Sequence, residues 1–122
     1  MSRIEEFELD GKSFVYFDLS GFRKDNEYID FIATAKTVIK KYPPNSLYTI
    51  TNMKGAMVGG NTHVIMSEWV THNKPYVKFG AVCSADTTAK VIGHTVSVVS
   101  QRSNLMYVDS KEEAIDSLLA LE

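Results

Sequence analysis

Ile4-Glu5-Glu6-Phe7-Glu8-Leu9-Asp10-Gly11-Lys12-Ser13-Phe14-Val15-Tyr16-Phe17-Asp18-Leu19 sets Asp-Gly, the pair a type I′ turn favours, between two short runs, the second rich in aromatic and branched residues. The stretch predicts an opening β-hairpin, Ile4 to Leu9 against Ser13 to Leu19. The period then changes. From Glu27 to Tyr42 apolar residues recur at Tyr28, Phe31, Ile32, Ala35, Ile39 and Tyr42, the spacing of a helix, with Asp25 or Asn26 as N-cap and Pro43-Pro44 as the stop.

The chain continues by alternation. A β-rich run, Ser46 to Thr51, is followed by a glycine-containing loop over Asn52 to Asn61 and a helix from Thr62 to Asn73, whose Val64, Ile65, Met66, Trp69 and Val70 define an apolar face and which Pro75 closes. Tyr76 to Cys83 reads as a strand, and Asp86 can cap a helix from about Thr87 to Gln101 with Ala89, Ile92, Val96 and Val99 on one stripe. Leu105 to Val108 is a short strand, and Ser110-Lys111-Glu112-Glu113 is a capping box opening a last helix that presents Ala114, Ile115, Leu118, Leu119 and Leu121. The order β, β, α, β, α, β, α, β, α implies a single α/β domain over 1–122: a mixed, mostly parallel sheet of about five strands, an antiparallel N-terminal hairpin and about four helices.

With 122 residues, 44% apolar and 23% charged, the chain has the size and composition of one ordinary globular domain. A net charge of −2 offers no long-range field for a phosphate backbone, so nucleic acid is not an expected partner. Cys83 is the one cysteine and cannot form an intrachain disulfide; with an opening Met1-Ser2-Arg3-Ile4-Glu5-Glu6 that lacks an apolar targeting core, a cytoplasmic location is expected. No stretch has the roughly 18 consecutive apolar residues of a membrane span, so stable membrane insertion is not expected.

Five sets of residues bear on chemistry or contacts. Gly55-Ala56-Met57-Val58-Gly59-Gly60-Asn61-Thr62 has the spacing of a P-loop with asparagine in place of its lysine. Two readings are open: Gly59 and Gly60 make a tight turn while Asn61 or Thr62 caps the helix, or Asn52, Lys54, Gly59, Gly60, Asn61 and Thr62 hold an anion at the rim of the sheet. Cys83 ends a strand just before a helix N-terminus, where a thiol pKa can fall, but no histidine is close to it in sequence, and a small buried hydrophobe is the alternative. His63, His72 and His94 have no ligand spacing, so neither a metal site nor a cofactor is expected. Asp18, Ser20, Arg23 and Lys24 read as a solvated loop on the same rim, or as a charged edge for a ligand or partner. Met57, Val58, Met66 and Trp69 are the candidate interaction surface, with core packing as the alternative for Met66 and Trp69, and a homodimer could cover Met53, Met57 and Val58.

This element order in a chain of this length resembles the SpoIIAA-like superfamily of STAS domains and small STAS/CRAL-TRIO-like bacterial proteins, with Lys74-Pro75-Tyr76-Val77-Lys78-Phe79-Gly80-Ala81-Val82 and the elements after it looking like the latter. In anti-anti-sigma factors of the STAS type, the loop after the third strand carries an aspartate and then a phosphorylated serine at a helix start. Here Val58 stands near the aspartate position and Gly59 or Gly60 near the serine, with Thr62 the nearest hydroxyl. The resemblance therefore implies a non-enzymatic regulatory or protein-interaction module without the phosphoserine switch, partnered by a protein or a second copy. Its CRAL-TRIO-like members imply the alternative, a binder of a small anionic or lipid-like ligand.

Overall fold

A computed structural model describes residues 3–58, 61–85 and 104–121. Strand β1 (Ile4–Leu9) turns through Asp10 and Gly11, both at positive φ (51° and 76°), into β2 (Lys12–Asp18), the backbone a type I′ turn demands. Helix α1 (Asp25–Ile39), strand β3 (Leu47–Asn52), helix α2 (Thr62–Asn73), strand β4 (Val77–Cys83), strand β5 (Leu105–Val108) and helix α3 (Lys111–Leu119) follow. The strands lie in the order β1-β2-β3-β4-β5, antiparallel in the hairpin and parallel from β2 onward. The expected sheet is thus present. The helix expected over 87–101, with its Asp86 cap and His94, lies outside the described residues, as do Gly59 and Gly60.

Each face of the sheet has its own core because successive side chains of a strand point to opposite sides. On one face Val15, Phe17, Leu47 and Val77 pack against Tyr28, Ile32, Ala35 and Ile39 of α1 and Trp69 of α2. On the other, Phe14, Tyr48, Ile50, Ala81 and Cys83 pack against Ala114 and Leu118 of α3. Strand β3, covered on both sides, is buried from Leu47 to Ile50.

Helix α3 is held at both ends. Ser110 caps it as its sequence predicts, its side chain accepting from the Glu113 N–H (3.1 Å), while the Glu113 carboxylate reaches one residue beyond the predicted box and accepts from the Asp109 N–H in place of that of Ser110. At the other end Lys12 Nζ donates to the carbonyls of Leu119 (3.1 Å) and Leu121 (2.9 Å), a cation at the negative pole of the helix.

Helix α1 departs from its expected limits. Asp25 is not the N-cap: the Glu27 carboxylate accepts from the N–H groups of Arg23 and Lys24, which starts the helix at Asp25 and leaves the Asp25 side chain for α2. At the C-terminal end the helix stops at Ile39, and Tyr42 turns toward β1 to donate its hydroxyl to Glu6 (2.6 Å).

Candidate functional site

The parallel strands β2, β3 and β4 all end at one rim of the sheet, and their register sets Asp18, Asn52 and Cys83 side by side there. Open parallel sheets bind ligands and partners at this edge, since their loops gather beyond the strand carboxyl ends. Two of those loops are stitched together. The Leu19 N–H donates to the Asn52 carbonyl, Gly21 to Lys54, and Met57 to Phe22 (2.9, 3.0 and 2.7 Å). Gly21 and Gly55 adopt φ of 73° and 68°, and a Cβ on Gly55 would lie 3.9 Å from the Gly21 nitrogen, so glycine at 55 answers to backbone conformation more than to crowding.

Side chains reinforce the seam. Tyr28 donates its hydroxyl to the Met57 carbonyl (2.8 Å), and Arg23 Nη1 lies 2.9 Å from the Met57 sulfur. Thr62, at the start of α2, donates to Asp25 at the start of α1 (3.0 Å) and ties the two helix N-termini together. Arg3 donates to the carbonyls of Asp18 and Ser20 (both 3.0 Å) and sets its guanidinium 4.7 Å above the Phe22 ring. The rim segment Asp18 to Lys24 is therefore bonded backbone with a charged fringe, a closer-knit structure than a solvated loop.

The sequence-predicted anion set is largely committed within the chain. Asn52 Nδ2 donates to the Tyr16 hydroxyl (3.0 Å) and, at 3.4 Å, to Asp18, and its Oδ1 accepts the Lys54 N–H that an anion cradle would use. Asn61 occupies the N-cap position of α2 without a side-chain cap bond, and Thr62 does not cap either, because its hydroxyl reaches Asp25. That carboxylate opposes an anion at the same helix start. Lys54 is exposed at the rim.

Cys83 is buried, and its thiol is pushed above its ordinary value, first by burial and further by the charges of Asp18 and Glu112. A nucleophile needs the opposite shift, so the small-hydrophobe reading accounts for Cys83. His63 and His72 both lie on α2. Among the described residues no group of three or more His, Cys, Asp or Glu could hold a metal ion.

The apolar candidates divide sharply. Trp69 is a correction: it is 3% exposed, edge-on to Phe17 (5.1 Å between centroids) and to Phe31 (6.3 Å), so it lies in the core and cannot touch a partner directly. Met53 and Ala56 are buried under their own loop, and Val58 and Met66 are half-buried against the same core. Cover for Met53 and Val58 thus comes from within the chain. Val64 falls off the face running through Thr62, Ile65, Met66, Trp69, Val70 and Asn73, and is exposed. Leu9, Ile29, Met57 and Val64 are the large apolar side chains that the described residues leave exposed. Leu9 lies at the hairpin turn; the other three belong to the rim loop or to the N-terminal halves of α1 and α2. Periodicity does not single out Ile29, although its place outside the stripe of α1 makes its exposure legible.

This arrangement has a solved counterpart. The structure of an anti-sigma-factor antagonist (STAS) domain protein from Planctomyces limnophilus superposes with a TM-score of 0.64, covering 96% of this chain and 98% of that one. The fold is SpoIIAA-like. Sequence identity between the two is 12%, so the likeness is one of architecture. The sequence matches no protein-family model and no curated protein. In this SpoIIAA-like sheet no helix of the described residues is long and apolar enough to cross a membrane.

The tyrosines of the helical layer carry a pH signature. Tyr28 is pushed up to about 12, by burial and then by the nearby charges of Glu27 and Asp25; Tyr42 is pushed up to about 12, by burial and then by its bond to Glu6. A pKa raised on folding contributes stability that is complete below the unfolded value of about 10 and lost as pH rises through the folded one. Urea midpoints should hold up to that lower pH and then fall steeply toward pH 12. Tyr28→Phe and Tyr42→Phe should each flatten the fall, and an alkaline slope unchanged in both variants would refute the assignment.

Proposed function

We propose that residues 1–122 form one STAS-like module that regulates through protein contact and performs no chemistry of its own, with the stitched rim and the first turns of α2 as its contact surface. One observation carries this reading: of the four large apolar side chains exposed among the described residues, three, Ile29, Met57 and Val64, belong to the rim loop and the N-terminal halves of α1 and α2. Such surfaces gain from burial against a partner at roughly 25 cal/mol per Å² of apolar area. Val58 and Met66 are half-buried against the adjoining core. The raised thiol pKa of Cys83 speaks for the absence of covalent catalysis there.

On this reading the module works without the phosphoserine switch that the STAS resemblance would bring. Val58 and Gly59 or Gly60 stand where that switch would place aspartate and serine, and the nearest hydroxyl, Thr62, is buried and bonded to Asp25. A cytoplasmic setting suits such a module, with a second copy of the chain as the first partner to test.

Native mass spectrometry over a concentration series, with denaturing mass on the same sample, reads the proposal directly. A dimer that grows with concentration and is weakened at least ~10-fold in Kd by Met57→Asp, about 1.4 kcal/mol, is the expected result. Met57→Asp changes an exposed side chain, so its unfolding midpoint should match the wild type. A monomer carrying a non-covalent adduct would overturn the contact reading and move the function to a small ligand near Lys54. A bare monomer throughout would overturn self-association.

A further inference from the structure

Met57 is both fastened and displayed. Its N–H donates to the Phe22 carbonyl, its C=O accepts from the Tyr28 hydroxyl and its sulfur faces Arg23 Nη1 at 2.9 Å, yet the residue is 55% exposed. Met53 is buried beneath the same loop, while Met66 and Met106 are half-buried against the two cores. A solute oxidant therefore meets the sulfur of Met57 before any of these three.

We propose that Met57 is a modification site: a peroxide converts its thioether to the sulfoxide and thereby switches the contact rim from apolar to polar. The inference rests on the rim being a contact surface for its consequence, though not for the chemistry itself. A sulfur lone pair attacks one peroxide oxygen, an S–O bond forms and the O–O bond breaks. The departing oxygen leaves as hydroxide and takes up the proton released from the transferred oxygen, giving water; the sulfur loses two electrons and the peroxide gains them.

Arg23 determines how the product is held. A thioether is a weak hydrogen-bond acceptor and a sulfoxide oxygen a far stronger one, so the N–H now aimed at sulfur keeps and improves its partner after oxidation. Both backbone bonds of Met57 are independent of the oxidation state of its sulfur. The loop consequently keeps its place while its exposed tip gains a polar atom that a partner's apolar surface would have to desolvate. Oxidation of a core methionine such as Met53 would instead disrupt packing.

A short pulse of dilute hydrogen peroxide on the native protein, quenched and followed by peptide mapping, tests the site. Met57 should gain oxygen at least ~10-fold faster than Met53 and several-fold faster than Met66 and Met106, with the differences collapsing in denaturant. The singly oxidised protein should keep its unfolding midpoint and return to the starting mass with methionine sulfoxide reductase, faster in Arg23→Ala than in the wild type. Oxidation of Met57 no faster than that of Met66 or Met106, or oxidation accompanied by unfolding, would overturn the site. An equal rate of reduction in Arg23→Ala would overturn the role of the guanidinium. Regulation is read separately: oxidation should dissociate the wild-type dimer and spare that of Met57→Leu. A dimer indifferent to Met57 sulfoxide would refute the switch while leaving the rim reading intact, and a protein that never dimerises fails that reading while peptide mapping still decides the site.

Discussion

Trp69→Ala should cost about 3–5 kcal/mol, a large fraction of the roughly 5–15 kcal/mol that holds a domain of this size. The indole fills the space between α2, Phe17 of β2 and Phe31 of α1, and those two rings also meet each other edge-on, at 6.1 Å between centroids. With the Asn73 amide oxygen turned toward it, the indole N–H also has an acceptor at 3.2 Å. Truncation removes the packing and at the same time takes the indole donor from the amide oxygen of Asn73, itself buried. Trp69→Phe should lose less, about 1–2 kcal/mol, because most of the ring contact survives. As Trp69 is the one tryptophan, the measurement is urea unfolding followed by circular dichroism. A stability within about 1 kcal/mol of the wild type would mean the side chain is at the surface after all and would restore it to the contact face.

Thr62→Glu should be nearly as damaging, at about 2–4 kcal/mol, because it presses a second carboxylate against Asp25 at a position that is 3% exposed. The sign of its pH dependence follows. The introduced carboxyl is buried beside a like charge, so it holds its proton more tightly than in the unfolded chain and the loss shrinks as pH falls. Thr62→Val keeps the shape and removes the hydroxyl, for a loss of about 1 kcal/mol with little pH dependence. A Thr62→Glu protein as stable as wild type would mean that the hydroxyl can be reached from solvent. The case against a phosphorylation switch at this helix would then fail.

These two residues mark where local reading stops. Trp69 and Val64 both belong to the apolar set of one helix, and only the direction of α2 on the sheet separates a core side chain from an exposed one. For Thr62 the local rule for helix starts predicts a cap, but a partner from α1, 37 positions away in sequence, took the hydroxyl instead. Asp25 and Asn52 illustrate the same competition. Each is a residue type suited to capping or ligand contact, and each is engaged by a neighbour that the sheet brings alongside.

The amino-acid sequence by itself determined the hairpin, the alternation of strands and helices, the α2 limits at Thr62 and Asn73 and the Ser110 cap of α3, because these depend on turn conformation, residue period and bonds spanning three or four positions. It also carried enough of the architecture for the SpoIIAA-like resemblance. Tertiary structure alone decided that Asp18, Asn52 and Cys83 share one row, that Met53 is covered while Met57 is displayed, and that Arg23 meets a sulfur 34 positions away. Those facts depend on register and on how two loops approach each other, and both emerge when the sheet and its helices pack.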